Sequence, residues 1–378
     1  MRKLKQLPPV AVDREDYEFV GAASRRLLAE ARVVAADGTA LYFRDTGGKY
    51  GACWTRDFCY MVEGAGPLLP AAEVLGVIDY LLAGQREDGV MPDRVRADGV
   101  PVYLAGPEDQ PLGLGPPVDN AQFLVKLLDA YYVLTGDALA FLERGAALFR
   151  ALESVPLNVE GLVEVDPNRP HPGYGFTDMV AKTGEELFCS VLYWEAARRL
   201  ARRLQELEEH EDARIWYEAA ELAINHIPEL YDEDSRMYWA ASEGCRQHDL
   251  WGTMYAVVMR VTSKTRSRAF AEFLRENREL VFYRGHVRHL LRGEYWRRLL
   301  APVERDRYQN GAYWAVASGW AAQTVALVDP ELARGLVHEV VDLWREEDVY
   351  ECISPDGDRN GPGYVASATN LLGAIRPM

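Results

Sequence analysis

The chain has 378 residues, 48% of them hydrophobic, which is enough to bury a large core. Its 58 acidic and 42 basic residues give a formal net charge of −16, which disfavours nucleic acid or an anionic membrane as a partner. Five scattered cysteines without a CxxC pair, an N-terminus without the apolar core of a signal peptide and the absence of a long uncharged apolar run predict a cytoplasmic protein without a membrane span.

Helical periodicity predicts twelve helices whose connections alternate between short and long. In chain order they span 13–36, 56–68, 70–85, 118–135, 137–154, 183–208, 210–227, 248–262, 264–280, 309–328, 330–347 and 364–375. The long connections are 37–55, 86–117, 155–182, 228–247, 281–308 and 348–363. Because helices joined by short turns pack antiparallel, all six long connections are expected on one face, where loops of this length usually bind or catalyse.

Local sequence signals mark several helix ends. The stretch 135–137, Thr-Gly-Asp, supplies a C-terminal glycine and then an aspartate N-cap. The stretch 329–331, Asp-Pro-Glu, supplies an N-cap and a proline in the first turn. Thr183 followed by Glu186 predicts a capping box at the start of helix 183–208.

Alternate helices differ in composition. Segments 309–328 and 364–375 carry no charged residue, whereas 330–347 is amphipathic. An inner ring of apolar helices inside an outer ring of amphipathic ones predicts an all-α (α/α)6 barrel. It forms a single domain over 1–378 with an N-terminal extension of about 12 residues. The alternative is an open solenoid of helix hairpins, which should show a repeated sequence unit, and the sequence has none.

The long connections place aromatic side chains beside carboxylates, arginines and amides. A sugar ring stacks its C–H faces on tryptophan or tyrosine, and its hydroxyls need acceptors such as aspartate and donors such as arginine. This composition therefore predicts a saccharide site. For Trp54 and Trp239, sugar binding and core packing both remain open.

Four segments resemble the six-hairpin glycosidases: WTRDF at 54–58, PVDNAQFLVKLLDAYYVLTGD at 117–137, YQNGAYW at 308–314 and YECISPDG at 350–357. That clan includes glucoamylases, trehalases, neutral invertases and the α-glucosidase/mannosylglycerate hydrolase group. The resemblance covers most of the chain in motif order and helix rhythm. Two departures disfavour invertase and starch-like substrates: Gln309 stands where neutral invertases tend to have histidine, and 350–357 lacks a glucoamylase signature.

The resemblance implies an inverting glycoside hydrolase acting on an α-linked gluco- or manno-configured saccharide or small glycoside. One protonated carboxyl group serves as general acid, and one carboxylate activates water on the opposite face of the sugar. The resemblance puts the acid in the loop after the fifth helix, where Asp178 is the matching carboxylate, and the base in the loop after the eleventh helix, where Glu351 is the match. Glu185 or Glu186 is an alternative acid, and a plain surface acid is the alternative for Glu351.

The remaining site residues are predicted substrate contacts. They are Trp54, Arg56, Asp57, Asp93, Trp239, Tyr308 and Asn310. For the pair Arg56-Asp57, a buried structural ion pair is the alternative.

No cofactor or metal is predicted, because there is no P-loop or GxGxxG and only His286 and His289 are close in sequence. The expected partner is a carbohydrate, and the oligomeric state stays open. A sugar phosphorylase or epimerase on the same fold is one alternative, for which Arg284 and His286 are the only hint of a phosphate pocket. A non-catalytic saccharide-binding protein is the other.

Overall fold

A computed structural model describes residues 6–378, so the first five residues of the predicted N-terminal extension lie outside the described residues. Thirteen α-helices occur in this range, and each of the twelve predicted helices has a counterpart among them. They are α1 Arg14–Glu30, α2 Thr55–Ala65, α3 Ala71–Leu82, α4 Asn120–Thr135, α5 Ala138–Glu153, α6 Leu187–Glu206, α7 His210–His226, α8 Leu250–Val258, α9 Lys264–Glu276, α10 Arg278–Val281, α11 Ser318–Val325, α12 Pro330–Glu346 and α13 Val365–Ala374. The additional helix, α10, is a single turn.

The predicted helix ends at Gly136 and Asp137 are confirmed, because their capping contacts are local. The predicted cap at Thr183 is wrong, because a distant segment binds its side chain. Gly136 ends α4 with a φ of 72°, and Asp137 caps α5 by accepting a hydrogen bond from Ala140 N. The capping box at Thr183 is wrong, because its hydroxyl accepts from Gly244 N and α6 is capped by Glu186 instead.

Two helices differ most from their predicted bounds. The helix predicted over 13–36 ends at Glu30, because the chain turns directly into a strand that pairs with residues 40–42. The helix predicted over 309–328 begins only at Ser318. Before it, Tyr308 and Gly311 adopt positive φ angles and residues 313–314 join a sheet.

Six helices pack on one another in a closed cycle, here called the helix ring. Around the ring, α2 contacts α4, α4 contacts α6, α6 contacts α8, α8 contacts α11, α11 contacts α13, and α13 contacts α2. The other long helices each pack on a ring member: α1 on α13, α3 and α5 on α4, α7 on α6, and α9 and α12 on α11. Every ring helix is therefore entered through a long connection, and the N-terminal ends of the ring helices carry those connections.

Sixteen strands of two to four residues, which the all-α prediction did not include, lie mainly in the connections. They are β1 Val10–Val12, β2 Arg32–Val34, β3 Ala40–Tyr42, β4 Ala52–Trp54, β5 Arg94–Arg96, β6 Pro101–Val102, β7 Glu164–Val165, β8 Gly184–Glu185, β9 Tyr231–Asp232, β10 Met237–Tyr238, β11 Phe282–Tyr283, β12 His286–Val287, β13 Tyr313–Trp314, β14 Tyr350–Ile353, β15 Arg359–Pro362 and β16 Ile375–Pro377. The strands β11 to β15 form an antiparallel sheet of five, and β4 to β6 form one of three. The first strand pairs in parallel with the last, β1 with β16.

Aromatic side chains from five ring helices meet inside the ring. Tyr60, Phe123, Phe188, Tyr255 and Trp320 contact one another with ring centroids 4.8 to 5.9 Å apart. The interior is thus packed, and the two ends of the helix ring are separate environments. Across residues 6–378, no helix is both long enough and apolar enough to cross a membrane.

Candidate active site

Glu351 lies on β14, between β13 and β15, with only 1% of its surface exposed. Its Oε2 accepts hydrogen bonds from the Tyr50 hydroxyl at 2.8 Å and from Asn360 Nδ2 at 3.4 Å, and its Oε1 accepts from the Tyr308 hydroxyl at 3.4 Å. Burial raises the pKa of Glu351, although the charge of Arg44 and the Tyr50 hydrogen bond oppose this effect. The carboxylate is therefore buried among neutral donors, with the cations Arg44 and Lys49 nearby.

Asp178 follows a 3-10 turn at Gly175–Thr177, in the connection between α5 and α6. Its side chain is partly exposed, and its Oδ1 accepts a hydrogen bond from Gln309 Nε2 at 2.8 Å. Burial raises the pKa of Asp178, against the opposing charge of Arg56 and the hydrogen bond from Gln309. A carboxyl group with a raised pKa and access to solvent can carry and donate a proton.

Arg56, in the first turn of α2, is 1% exposed and is surrounded by three carboxylates. Its guanidinium lies 3.3 Å from Asp93, 3.4 Å from Asp119 and 3.7 Å from Asp57. Asp119 also accepts a hydrogen bond from Gly175 N at 2.8 Å, and burial raises the pKa of Asp119 to about 6. The cluster is buried and connects the start of α2 to the segment before Asp178 through ion pairs and a hydrogen bond. It is here called the wall.

Both carboxylates belong to one closed circuit of contacts and short main-chain segments, here called the carboxylate circuit. Trp54 connects the surroundings of Glu351 to the Arg56 cluster. Its ring meets Tyr50 edge-on at 5.7 Å, and its Nε1 donates to Asp93 at 3.1 Å. Arg44 lies over the Tyr50 ring at 3.2 Å and over the Trp54 ring at 4.2 Å. In order, the circuit is Glu351, Tyr50, Trp54, Asp93, Arg56, Asp119, Gly175, Asp178, Gln309 and Tyr308. The step from Gly175 to Asp178 and the step from Gln309 to Tyr308 follow the main chain.

Two glycines permit close approaches within this circuit. A Cβ on Gly175 would lie 1.9 Å from Arg56 Cζ. Gly361 has a φ of 61°, and a Cβ there would lie 2.6 Å from Glu351 Cβ. Larger residues at either position would displace a side chain of the site.

Solved structures match this chain over nearly its whole length, whereas no protein-family model and no curated protein matches its sequence. An uncharacterized conserved protein from Thermus thermophilus gives a TM-score of 0.71 at 15% identity, covering 94% of this chain and 100% of that one. The GH63 mannosylglycerate hydrolase from the same organism, in complex with glucose, gives 0.69 at 16% identity with the same coverage. The glucoamylase of Saccharomycopsis fibuligera gives 0.62 at 10% identity, covering 98% of this chain and 97% of that one.

The chain shares the fold of the six-hairpin glycosidases. In this fold, the helix ring carries its long connections on one end, and the carboxylate circuit is assembled from them. The first connection supplies Tyr50 and Trp54, the third supplies Asp178, and the last supplies Glu351.

The predicted substrate contacts fall into three groups. Trp54, Arg56, Asp57 and Asp93 lie together, each at most 5% exposed, which favours the structural alternative for the Arg56-Asp57 pair. Tyr308 contacts Glu351 directly. The roles of these residues toward a substrate stay predictions.

The third group lies outside the circuit. Asn310 uses both amide atoms on backbone, since it accepts from Trp296 N and donates to Val303 O, each at 3.0 Å. Trp239 stacks on His248 with ring centroids 3.9 Å apart, in the connection between α7 and α8. These contacts favour structural roles for both residues.

The alternative acids also have protein partners. Glu186 is buried and pairs with Lys182 at 3.0 Å while it caps α6. Glu185 accepts a hydrogen bond from Asn158 Nδ2 at 3.1 Å. Neither is part of the carboxylate circuit.

Sequence reasoning did not select several residues that the circuit contains. Tyr50, Asp119 and Gln309 each bind one of its charged members, and Tyr364 donates to Asp57 at 2.6 Å. The available signal was that Asp119 and Gln309 lie within the motifs 117–137 and 308–314, while Tyr50 and Tyr364 lie a few residues outside 54–58 and 350–357. Sequence alone does not show which of these neighbours turns inward.

Among the described residues, one group of side chains could hold a metal ion: Glu160, His226 and Glu229, whose ligand atoms lie within 4.8 Å of one another. These three residues are not members of the carboxylate circuit. The proposed phosphate pocket has little support, because Arg284 pairs with Glu346 at 2.8 Å and burial lowers the pKa of His286 to about 4. The other histidine of the sequence pair, His289, stacks on Trp251.

Proposed function

We propose that the chain is an inverting glycoside hydrolase with Asp178 as general acid and Glu351 as general base. The observation that carries the proposal is the carboxylate circuit, in which two carboxyl groups with raised pKa values share one chain of contacts. The closed cycle of six helices supports the finer assignment of an (α/α)6 barrel in a single domain over 1–378.

The surroundings of the two groups support this division of roles. Glu351 accepts hydrogen bonds from Tyr50, Tyr308 and Asn360, which favour its ionised form as a base requires. Asp178 accepts one side-chain hydrogen bond and is partly open to solvent, which suits a group that must carry a proton to a substrate.

The reaction then proceeds in one displacement. Asp178 gives its proton to the glycosidic oxygen while the bond from that oxygen to the anomeric carbon breaks. Glu351 removes a proton from a water molecule, whose oxygen attacks the anomeric carbon from the opposite face. This geometry requires carboxyl groups about 6.5–9.5 Å apart, so that the water fits between base and sugar. The product sugar has the inverted configuration, and proton exchange with solvent restores both groups.

The substrate proposed is an α-linked gluco- or manno-configured saccharide or small glycoside. Support comes from the similar structures, which include a mannosylglycerate hydrolase in complex with glucose and a glucoamylase. A cytoplasmic location remains part of the proposal, supported by five free cysteines that are all buried.

The test is turnover of a panel of α-glucosides and α-mannosides followed by NMR, which reads the anomer released. Asp178→Asn and Glu351→Gln should each lower kcat/KM by about 10²–10⁴-fold. With a glycosyl fluoride, whose leaving group needs no proton, Asp178→Asn should recover much of its activity and Glu351→Gln should not.

Two exposed residues give matched controls, Asp109→Asn and Glu331→Gln, which should retain wild-type rates. Near wild-type activity in either site variant would reject that residue's assignment. Release of the retained anomer would reject the inverting mechanism.

A further inference from the structure

The dipeptide Tyr308-Gln309 touches both proposed catalytic groups. Gln309 donates to Asp178 and Tyr308 donates to Glu351, so two adjacent side chains reach two carboxylates that lie 173 residues apart in sequence. Burial raises the pKa of the Tyr308 hydroxyl, and the charges of Glu351 and Asp178 both add to this effect. That hydroxyl is therefore a neutral donor near both groups.

The backbone of the dipeptide is fixed by two tryptophans. Trp314 Nε1 donates to the carbonyl of Tyr308 at 3.3 Å, and Trp296 Nε1 donates to the carbonyl of Gln309 at 3.0 Å. Tyr308 also has a φ of 43°, a left-handed conformation that bulky residues rarely adopt. Such a conformation persists only where the surroundings impose it, so the segment is held in a defined geometry.

The side chain of Gln309 is fixed at both ends of its amide. Nε2 donates to Asp178 Oδ1, while Oε1 accepts from Met179 N at 2.8 Å. The carbonyl of Met179 in turn accepts from Leu300 N at 2.8 Å. Gln309 thus holds the carboxyl group and the adjacent main chain of the same loop, which restricts the rotation of Asp178.

Glu351 is held from two sides in a similar way. The Tyr308 hydroxyl binds Oε1, and the Tyr50 hydroxyl binds Oε2. Together with Asn360, which also donates to Oε2, these donors restrict the orientation of the carboxylate. Since Tyr308 shares a peptide bond with Gln309, a shift of this segment would move the support of the acid and the base together.

We infer that Tyr308 and Gln309 form a positioning bridge that sets the placement of Asp178 relative to Glu351. This inference rests on the proposed function for its catalytic meaning. Both are positioning residues, because each acts through a carboxyl group that it binds. An inverting reaction depends on the separation of the two groups, so a rigid dipeptide between them is a direct way to maintain it.

The test compares Tyr308→Phe with Gln309→Met, which remove one hydrogen bond each at nearly constant shape. Each should lower kcat by about 10- to 100-fold with KM changed by less than about threefold, since positioning and not binding is lost. Tyr283→Phe and Gln110→Met, at exposed positions, are the matched controls and should retain wild-type kcat.

The pH profile separates a positioning role from a general loss of structure. A donor stabilises an ionised carboxylate, so its removal raises the pKa of that group. In a plot of kcat/KM against pH, the acidic limb reports the ionisation of Glu351. Tyr308→Phe should move this limb to higher pH by about half to one pH unit. Gln309→Met should move the alkaline limb, set by Asp178, in the same direction by a similar amount. Movement of the same limb in both variants, or of neither limb, would overturn the inference.

A second measurement keeps the inference separate from the proposed function. The carboxyl ¹³C signals of Asp178 and Glu351, assigned with Asp178→Asn and Glu351→Gln, are titrated in the wild type and in both bridge variants. If no glycoside is hydrolysed but Tyr308→Phe shifts only Glu351 and Gln309→Met only Asp178, the bridge stands and the proposed function fails. If glycosides are hydrolysed but neither titration responds selectively, the bridge fails and the function stands.

Discussion

The two ends of the helix ring bury carboxylates in opposite ways. Near the midpoint of α6, Glu195 is fully buried, 2.9 Å from Lys126 and also paired with Arg199, and these two cations line a cavity at the C-terminal end of the ring. Burial alone would raise the pKa of Glu195, but the charges of Arg199 and Lys126 lower it to about 2. At the N-terminal end, Glu351 is equally buried, but its pKa is raised.

The difference lies in the partners and not in the depth of burial. Asp178 and Glu351 form no ion pair within residues 6–378, and their direct partners are amides and hydroxyls. At the other end, ion pairs extend from Lys126 and Arg199 to Glu63 and Asp129, beside a cavity of about 280 Å³. Neutral partners leave a carboxyl group free to exchange a proton, whereas cations hold it ionised.

The largest expected effect is the loss of stability in Glu195→Gln. The substitution leaves the buried charge of Lys126 with only partial compensation from Glu63, and removal of one partner of a buried ion pair costs about 3–5 kcal/mol. Urea unfolding followed by circular dichroism measures the change, with the exposed Glu331→Gln as its control. A loss below about 1 kcal/mol would mean that the pairing does not stabilise this end of the ring.

At the opposite end, Gly175→Ala should destabilise the fold by about 1–3 kcal/mol, as overpacking does. The new Cβ requires Arg56 to move away from Asp119, which weakens the wall next to Asp178. Unfolding and kcat/KM should decline together. Gly335→Ala in α12 is the control, because its Cβ meets nothing within 4 Å and alanine favours a helix. Equal stability of both variants would show that Arg56 has room to adjust.

Removing a carboxylate at the N-terminal end should increase stability, opposite to the loss expected for Glu195→Gln. Glu351→Gln and Asp178→Asn remove a negative charge from a site that opposes it, so both should raise Tm by about 1–2 °C while they lower kcat/KM. Differential scanning calorimetry measures the change, with Asp109→Asn as the control. A loss of stability comparable to that of Glu195→Gln would indicate that these carboxylates are structural.

The parts of the fold that depend on local sequence signals were predictable. Apolar periodicity, Gly136 and the N-caps Asp137 and Asp329 act within a turn or two, and the helices they mark are present. The five-stranded sheet was not predictable, because its strands of two to four residues are too short to show alternation and are paired across the chain. The same sheet replaces the first part of the helix predicted over 309–328.

The sequence suggested two carboxylates as site residues but not the contacts that surround them. The resemblance indicated Asp178 and Glu351, and both belong to the carboxylate circuit, while their catalytic roles stay predictions. The groups that tune them come from far away in the chain, since Tyr50 is 301 residues from Glu351 and Gln309 is 131 residues from Asp178. Residue type and local spacing carry no information about such pairings. They also did not reveal that Arg56 is enclosed by three aspartates.

The smallest expected effect is a difference in how the two ends respond to pH. The pKa of Glu195 falls from 4.5 to about 2 in the fold, so its stabilisation is complete above pH 4.5 and is lost as pH falls toward 2. Asp119, whose pKa rises from 3.8 to about 6, acts in the opposite sense, as do Asp178 and Glu351. The fold favours their protonated forms, so stability declines as pH rises through that window. Urea unfolding at steps between pH 2 and pH 7 gives the free energy of unfolding as a function of pH. In Glu195→Gln this free energy should fall less steeply as pH drops toward 2. In Glu351→Gln it should fall less steeply as pH rises toward 7. A smaller slope at the same end of this pH range in both variants would mean that one electrostatic environment extends through the ring.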